Sequence, residues 1–236
     1  LWYSHGNLIR MNRTRYVRDN VFWYSSANKI YENSGADSRY SLHFMYADRN
    51  EILSNDYRRN SVGIFLMFSQ GSTLKRNFVA DSTGPFGIGI GMKESSDILV
   101  EENQILYNAR GFYLDSSPYQ PGTFNTFRGN EINFNTTAFL LHGTLLPSLF
   151  ESNVFKGNIE DVANDTPESK LEINTWRSNY WDNYEGFDRN DDGYGDIPHE
   201  QWMYADRIWS YLPAAKFFYA SPVLDFMNFL WRLMPF

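Results

Sequence analysis

The sequence predicts an all-β chain: a parallel β-helix of about seven to eight coils, followed by a C-terminal cap and a short helix. Three observations carry this. A phrase of one apolar residue, two fillers and an asparagine recurs as Ile9-x-x-Asn12, Ile30-x-x-Asn33, Ile52-x-x-Asn55, Leu74-x-x-Asn77, Val100-x-x-Asn103, Phe127-x-x-Asn130 and Phe150-x-x-Asn153. Successive asparagines lie 21, 22, 22, 26, 27 and 23 residues apart, a period that belongs to solenoids. Each period also holds a second stretch that starts with a small residue and alternates, as in Ser41-Leu42-His43-Phe44-Met45 and Gly63-Ile64-Phe65-Leu66-Met67. Helical repeats of similar length need long stretches of 3.6-residue periodicity, and none occurs.

The asparagine then has a structural task. At a turn into the next strand, its amide can bond the equivalent amide one coil above and below, satisfying buried polar groups along the stack. In the second stretch, alternation separates two faces. Leu42, Phe44, Ile64, Leu66, Ile88, Ile90, Phe112, Leu114, Phe139 and Leu141 form the expected inner face. The outer face receives Val21, Trp23, His43, Met45, Phe65, Met67, Gly89, Gly91, Tyr113, Asp115, Leu140 and His142. An outer column rich in Met, His and aromatics is unusual for a solvated surface. It is expected to be covered by a partner or used chemically.

Composition narrows the function classes. A net charge of −7 without a basic run argues against nucleic acid as a partner. The chain has no cysteine, which removes disulfides, thiolate metal sites and cysteine nucleophiles. An aromatic share of 18% leaves many rings for surfaces. Leu1-Trp2-Tyr3-Ser4 parallels Phe22-Trp23-Tyr24-Ser25, so the chain starts within a repeat, and a capping segment is expected before Leu1.

His43 and Met45 are two apart on one strand, roughly 6.5–7 Å between Cβ atoms, and Met67 lies one coil on, roughly 4.8 Å from Met45. This N/S donor set suits Cu(I) rather than Mg²⁺ or Ca²⁺. The alternative is a hydrophobic docking face with methionine as an adaptable filler. Gly89 and Gly91 are expected to leave room beside the site for a partner, and Met92 is placed inward in the column of Phe68. His5, in a turn, and His142, several coils away, are weaker candidates. Asp48, Asp56, Asp81 and Asp115 fall on different turns. They give no carboxylate pair of the kind glycoside cleavage requires.

The repeat fades after Asn153, placing the β-helix at 1–176 and the cap at 177–236. In the cap, Asp188-x-Asn190-x-Asp192-Gly193 copies the first half of a calcium loop, and Asp196 adds an oxygen. His199 stands where a closing glutamate would be, so the alternative is a metal-free loop rich in Asx turns. Trp202, Met203, Tyr204 and Trp209 are expected to cover the end of the solenoid. Ser221-Pro222 reads as a helix start, with Ser as N-cap. The following helix is apolar nearly all round except for Asp225, Asn228 and Arg232, and too short to span a bilayer. It is expected to be buried against this protein or a partner.

Several segments resemble the NosD family of periplasmic copper-handling proteins in nitrous oxide reductase maturation. They are Ser41-Leu42-His43-Phe44-Met45-Tyr46-Ala47, Gly89-Ile90-Gly91-Met92-Lys93-Glu94, Asp115-Ser116-Ser117-Pro118-Tyr119-Gln120-Pro121, Gly186-Phe187-Asp188 with Asp192-Gly193, and Ala205-Asp206-Arg207-Ile208-Trp209. The resemblance implies a right-handed parallel β-helix, a periplasmic location and no enzymatic activity. It also implies partners: an ABC transporter made of an ATPase and a membrane subunit, a copper chaperone lipoprotein as donor, and nitrous oxide reductase as recipient. It implies transient Cu(I) as cargo. The expectation is a scaffold and copper relay; the alternatives are a polysaccharide-binding or polysaccharide-cleaving β-helix and a metal-free adaptor.

Overall fold

The structure, a computed structural model, describes residues 1–166, 171–199 and 221–233. It divides into two compact units, Leu1–Tyr184 and Glu185–Phe236. The first is a parallel β-helix built from three sheets of 8, 8 and 7 strands. The first sheet runs from Leu8–Arg10 to Thr175–Arg177 and the second from Arg13–Arg15 to Tyr180–Trp181. The third contains the longest strands: Asp19–Trp23, Tyr40–Met45, Val62–Met67, Ile88–Lys93, Arg110–Asp115, Thr137–His142 and Glu160–Asn164. Every pairing between coils is parallel, as in Ile30↔Ile52 and Ile52↔Leu74. Thr175–Arg177 and Tyr180–Trp181 pair with Ser148–Glu151 and Val154–Lys156, so the solenoid continues past the boundary at 176 read from the sequence.

The asparagine phrase forms a ladder. Asn12, Asn33, Asn55, Asn77, Asn103, Asn130 and Asn153 each hand an Nδ2–H to the Oδ1 of the next, ending at Asn179, at 2.9–3.0 Å. The same Oδ1 also accepts the backbone N–H of the preceding asparagine, as in Asn55 N to Asn77 Oδ1 at 3.0 Å. Each Nδ2 reaches a strand carbonyl as well, for example Asn55 to Ile30 O at 2.9 Å. From Asn33 to Asn153 the amides are therefore buried and satisfied. The residue before each turns the corner in the left-handed region, with φ of 53° at Glu32, 54° at Ser54 and 55° at Glu102. A non-glycine residue there costs about 1 kcal/mol, and the ladder offsets it. Shorter ladders at other corners, such as Asn108–Asn135–Asn158 at 3.1 Å a step, escape the seven-fold phrase.

Apolar columns fill the interior. Ile30, Ile52, Leu74, Val100, Phe127 and Phe150 have no exposed surface. Toward the C-terminal coils the rings stack face to face, Phe127 on Phe150 at 4.9 Å and Phe150 on Trp176 at 4.0 Å. In the third sheet strict alternation is interrupted. Gly63 and Ile64 both face inward, whereas Val62 and Phe65 lie together in an outer apolar cluster. The recurring small residue belongs at this point. A Cβ on Gly63 would come within 2.3 Å of the Val79 side chain and 2.6 Å of the Gly89 carbonyl oxygen.

This shifts one coil from its expected placement. Ile90 pairs with Ile64 and Met92 with Leu66, so Met92 is inward in the column of Leu66 rather than of Phe68. Ile88 lies opposite Val62 in the outer cluster, not in the core. Gly89 is inward, and a Cβ on it would clash with the Gly111 carbonyl oxygen at 2.7 Å. The cause is the longer turn before this strand, where Gly87 closes onto the Gly84 carbonyl at 3.0 Å and so is not a strand residue.

The second unit contains a loop and a helix, Pro222–Leu233, which starts at the expected proline. Val223, Phe226, Phe229, Leu230 and Leu233 are exposed on it. Trp202, Met203, Tyr204, Trp209 and the segment from Ala205 to Trp209 lie outside the described residues. No described helix is long and apolar enough to cross a membrane.

Candidate metal centre on the outer column

The third sheet brings two columns to its outer face. One runs Val21, His43, Phe65, Gly91, Tyr113 and Leu140; the other runs Trp23, Met45, Met67, Lys93, Asp115 and His142. His43, Met45 and Met67 therefore share the outer face of two adjacent strands, with Met45 directly in register with Met67. The imidazole Nε2 of His43 touches the Met67 Sδ at 3.2 Å. All three side chains are half-buried.

The surroundings are apolar. Tyr40 stacks on the His43 ring at 4.6 Å and 17°, and Phe65 meets it edge-on at 6.3 Å and 85°. Phe65, Val62 and Ile88 form a small core outside the solenoid, against which Tyr40, Met67 and Tyr113 pack. Burial pushes the His43 imidazole below its ordinary pKa, with Asp19 opposing and Arg39 assisting. Neutral imidazole is the form that offers a lone pair to a soft cation. Arg39 in turn bonds Asp19 through Nε at 2.7 Å and lies over the Tyr40 ring at 5.1 Å. The hydrogen bond from Arg39 holds the Asp19 carboxyl below the usual range despite some burial. The described residues contain no group of three or more His, Cys, Asp or Glu able to hold a metal. A soft centre of one imidazole and two thioethers has a different donor set.

One expected feature is corrected. Gly91 faces outward but leaves no room for a partner, because the Phe65 ring lies over it, and a Cβ on Gly91 would sit 2.3 Å from Phe65 Cε2. The sequence pattern also gives no sign that Tyr40 joins this face. Its position, three residues before His43, is outward only because alternation breaks between them.

The same column changes character after Met67. Lys93 pairs with Asp115 at 2.9 Å, and His142 Nδ1 with Asp165 Oδ1 at 2.8 Å. Tyr113 beside them has its hydroxyl pKa pushed up to about 12, chiefly by burial. His5 accepts the Ser26 backbone N–H at 3.0 Å, a structural use. Asp56 is paired with Arg58 at 2.7 Å, and Asp48 accepts the Gln70 N–H at 2.8 Å.

In the second unit, the loop folds around its own carboxylates. Asp188 accepts from Gly193 N at 2.9 Å and from Asp192 N at 3.3 Å; Asp192 accepts from Tyr194 N at 2.8 Å and from Asn190 Nδ2 at 3.0 Å. Asp196 accepts from Arg189 N at 2.7 Å. These bonds, one of them the Asx turn from Tyr194 N to Asp192, do not themselves require an ion.

Beside the Met column, at the corner residues, Tyr3, Tyr24, Tyr46 and Phe68 stack face to face at 4.9, 5.1 and 4.8 Å. The rings cover one another's faces and turn their edges to solvent.

A family model described as "Periplasmic copper-binding protein (NosD)" matches residues 1–186. A relative named "Probable ABC transporter binding protein NosD" from Stutzerimonas stutzeri is 28% identical over 177 residues, 73% of this chain and 36% of its own length. A relative of the same name from Pseudomonas aeruginosa is 30% identical over 113 residues, 48% of this chain and 26% of its own. The chain thus spans about a third or less of the curated relatives it matches. With a match over most of its length and a β-solenoid built as described, the chain belongs to the NosD family of periplasmic copper-binding proteins.

Proposed function

We propose that this chain binds Cu(I) transiently at His43, Met45 and Met67 and serves as a non-enzymatic relay and scaffold. The complex it serves is a periplasmic assembly around an ABC transporter that matures the copper centres of nitrous oxide reductase. The observation that carries the reading is the contact of His43 Nε2 with Met67 Sδ, with Met45 in register beside it. A neutral imidazole and two thioethers in an apolar recess favour a soft monovalent cation over hard divalent ones. The donor would be a copper chaperone lipoprotein and the recipient the reductase. The transporter's membrane subunit would meet the exposed apolar face of the helix Pro222–Leu233, and its ATPase would act from the other side of the membrane.

Polysaccharide binding is less well supported. Sugar platforms need free ring faces, and the aromatic ladder presents edges. Asp48, Asp56, Asp81 and Asp115 form no carboxylate pair for cleavage, and two of them, Asp56 and Asp115, are engaged by Arg58 and Lys93. For the Asp188–Asn190–Asp192–Asp196 loop a structural calcium ion remains our proposal, on the spacing of its oxygens.

Competition against a chromophoric Cu(I) chelator tests the copper site. Alanine at His43, Met45 and Met67 together should weaken binding more than about 100-fold, beyond what changes outside the ligand shell cost. Unchanged affinity and stoichiometry would put the copper elsewhere and sink this site, whereas no Cu(I) binding by the unaltered protein would leave a metal-free adaptor as the better account.

A further inference from the structure

We infer that Tyr40, Phe65 and Gly91 form a positioning frame that holds the His43 imidazole with its Nε2 against the Met67 sulfur; the inference rests on the copper reading above. None of the three carries a donor suited to Cu(I), yet together they fix the one that does.

Tyr40 supplies the face. Its ring lies nearly parallel to the imidazole at 4.6 Å, and it is held from its own side by the Arg39 guanidinium, which Asp19 anchors. Phe65 supplies the edge. It stands at 85° to the His43 ring and 87° to the Tyr40 ring, so both rings meet the same phenyl group. Phe65 is 8% exposed, although it lies outside the solenoid. It reaches that burial by lying across Gly91 of the next coil, where a Cβ would come 2.3 and 2.4 Å from two ring carbons. No side chain larger than hydrogen fits beneath it. Gly91 has an ordinary φ, so glycine is required there for the ring and not for the backbone. A donor atom held in place before the ion arrives saves the ordering cost on binding, which is how residues outside the ligand shell tune metal affinity.

The test uses Gly91→Ala, Phe65→Ala, Phe65→Tyr and the double variant Gly91→Ala/Phe65→Ala. Two readouts are taken: Cu(I) affinity by chelator competition, and the His43 ring and Met67 methyl resonances of the metal-free protein. Gly91→Ala and Phe65→Ala should each weaken Cu(I) about 10-fold at unchanged stoichiometry. Both should shift those resonances and remove the cross-peaks between the Phe65 and His43 rings. Phe65→Tyr should behave as the unaltered protein. In the double variant, alanine at Gly91 should add nothing to Phe65→Ala, because the ring it displaces is gone. Unmoved resonances and affinity in Gly91→Ala, or an equal further loss in the Phe65→Ala background, would overturn the frame. If Gly91→Ala does not fold, Phe65→Ala against Phe65→Tyr decides. His43→Ala separates the two readings. Copper affinity indifferent to His43 ends the copper reading, while the metal-free resonances still judge the frame.

Discussion

One outer column has two chemically opposed halves. Over the coils of Trp23, Met45 and Met67 it presents soft, uncharged side chains, with His43 alongside. Over Lys93, Asp115 and His142 it presents polar pairs closed on themselves, the salt bridge of Lys93 with Asp115 and the contact of His142 with Asp165. The backbone is the same in both: parallel strands of five or six residues in one sheet. The difference shows that the solenoid fixes where side chains stand but not which side chains they are, so one uniform frame carries two surfaces of different character. It also shows why two histidines differ. His43 meets a thioether in an apolar recess, whereas His142 is exposed and engaged by a carboxylate.

The strongest challenge to this comparison is to carry the charged half into the soft one. Met67→Lys places an ammonium against His43 and should abolish Cu(I) binding, a loss of more than about 100-fold, read by chelator competition. The frame itself is tested next. Asn103→Ala removes an amide that bonds Asn77, Asn130 and Leu74 O and leaves buried groups without partners. It should lower stability by roughly 2–4 kcal/mol in urea unfolding, regardless of copper. Should it instead weaken copper without loss of stability, frame and chemistry would not be separable.

A third test uses acid. Asp161 is buried at the last coil of the third sheet, and burial pushes its carboxyl pKa up to about 6. A raised carboxyl pKa means the folded state holds the proton more tightly. Its contribution is full below the unfolded value near 4 and is lost as pH rises through about 6. Asp161→Asn should therefore stabilise the protein by about 1–2 kcal/mol at pH 7.5 and by almost nothing at pH 4, measured by unfolding at both. An equal gain at both pH values would contradict the burial argument. The smallest effects are expected from His142→Ala, which should leave Cu(I) affinity within about 2-fold, and from the loop of the second unit. If the loop takes calcium, millimolar Ca²⁺ should raise the melting temperature, and Asp188→Ala should cancel the rise.

Much of this was legible in the sequence because the asparagine phrase sets the register. Once Asn33, Asn55 and Asn77 are placed at equivalent corners, His43, Met45 and Met67 must share the outer face. What escaped is what alternation does not encode. The two consecutive inward residues at Gly63 and Ile64 break the two-residue period, which hides Tyr40, and the longer turn before Ile88–Lys93 moves the coil of Gly89 by two positions. Gly91 looks like open space in a sequence, and only a ring from the neighbouring coil shows it to be filled. The loop at Asp188 has a spacing that an ion and a set of Asx turns satisfy equally well.

The account rests on copper meeting one imidazole and two thioethers, and X-ray absorption at the copper K-edge on the Cu(I)-loaded protein reads that directly. It predicts one nitrogen and two sulfur scatterers, with both sulfurs lost in Met45→Ala/Met67→Ala. A nitrogen- and oxygen-only shell, or sulfur scattering that survives the double substitution, would contradict it.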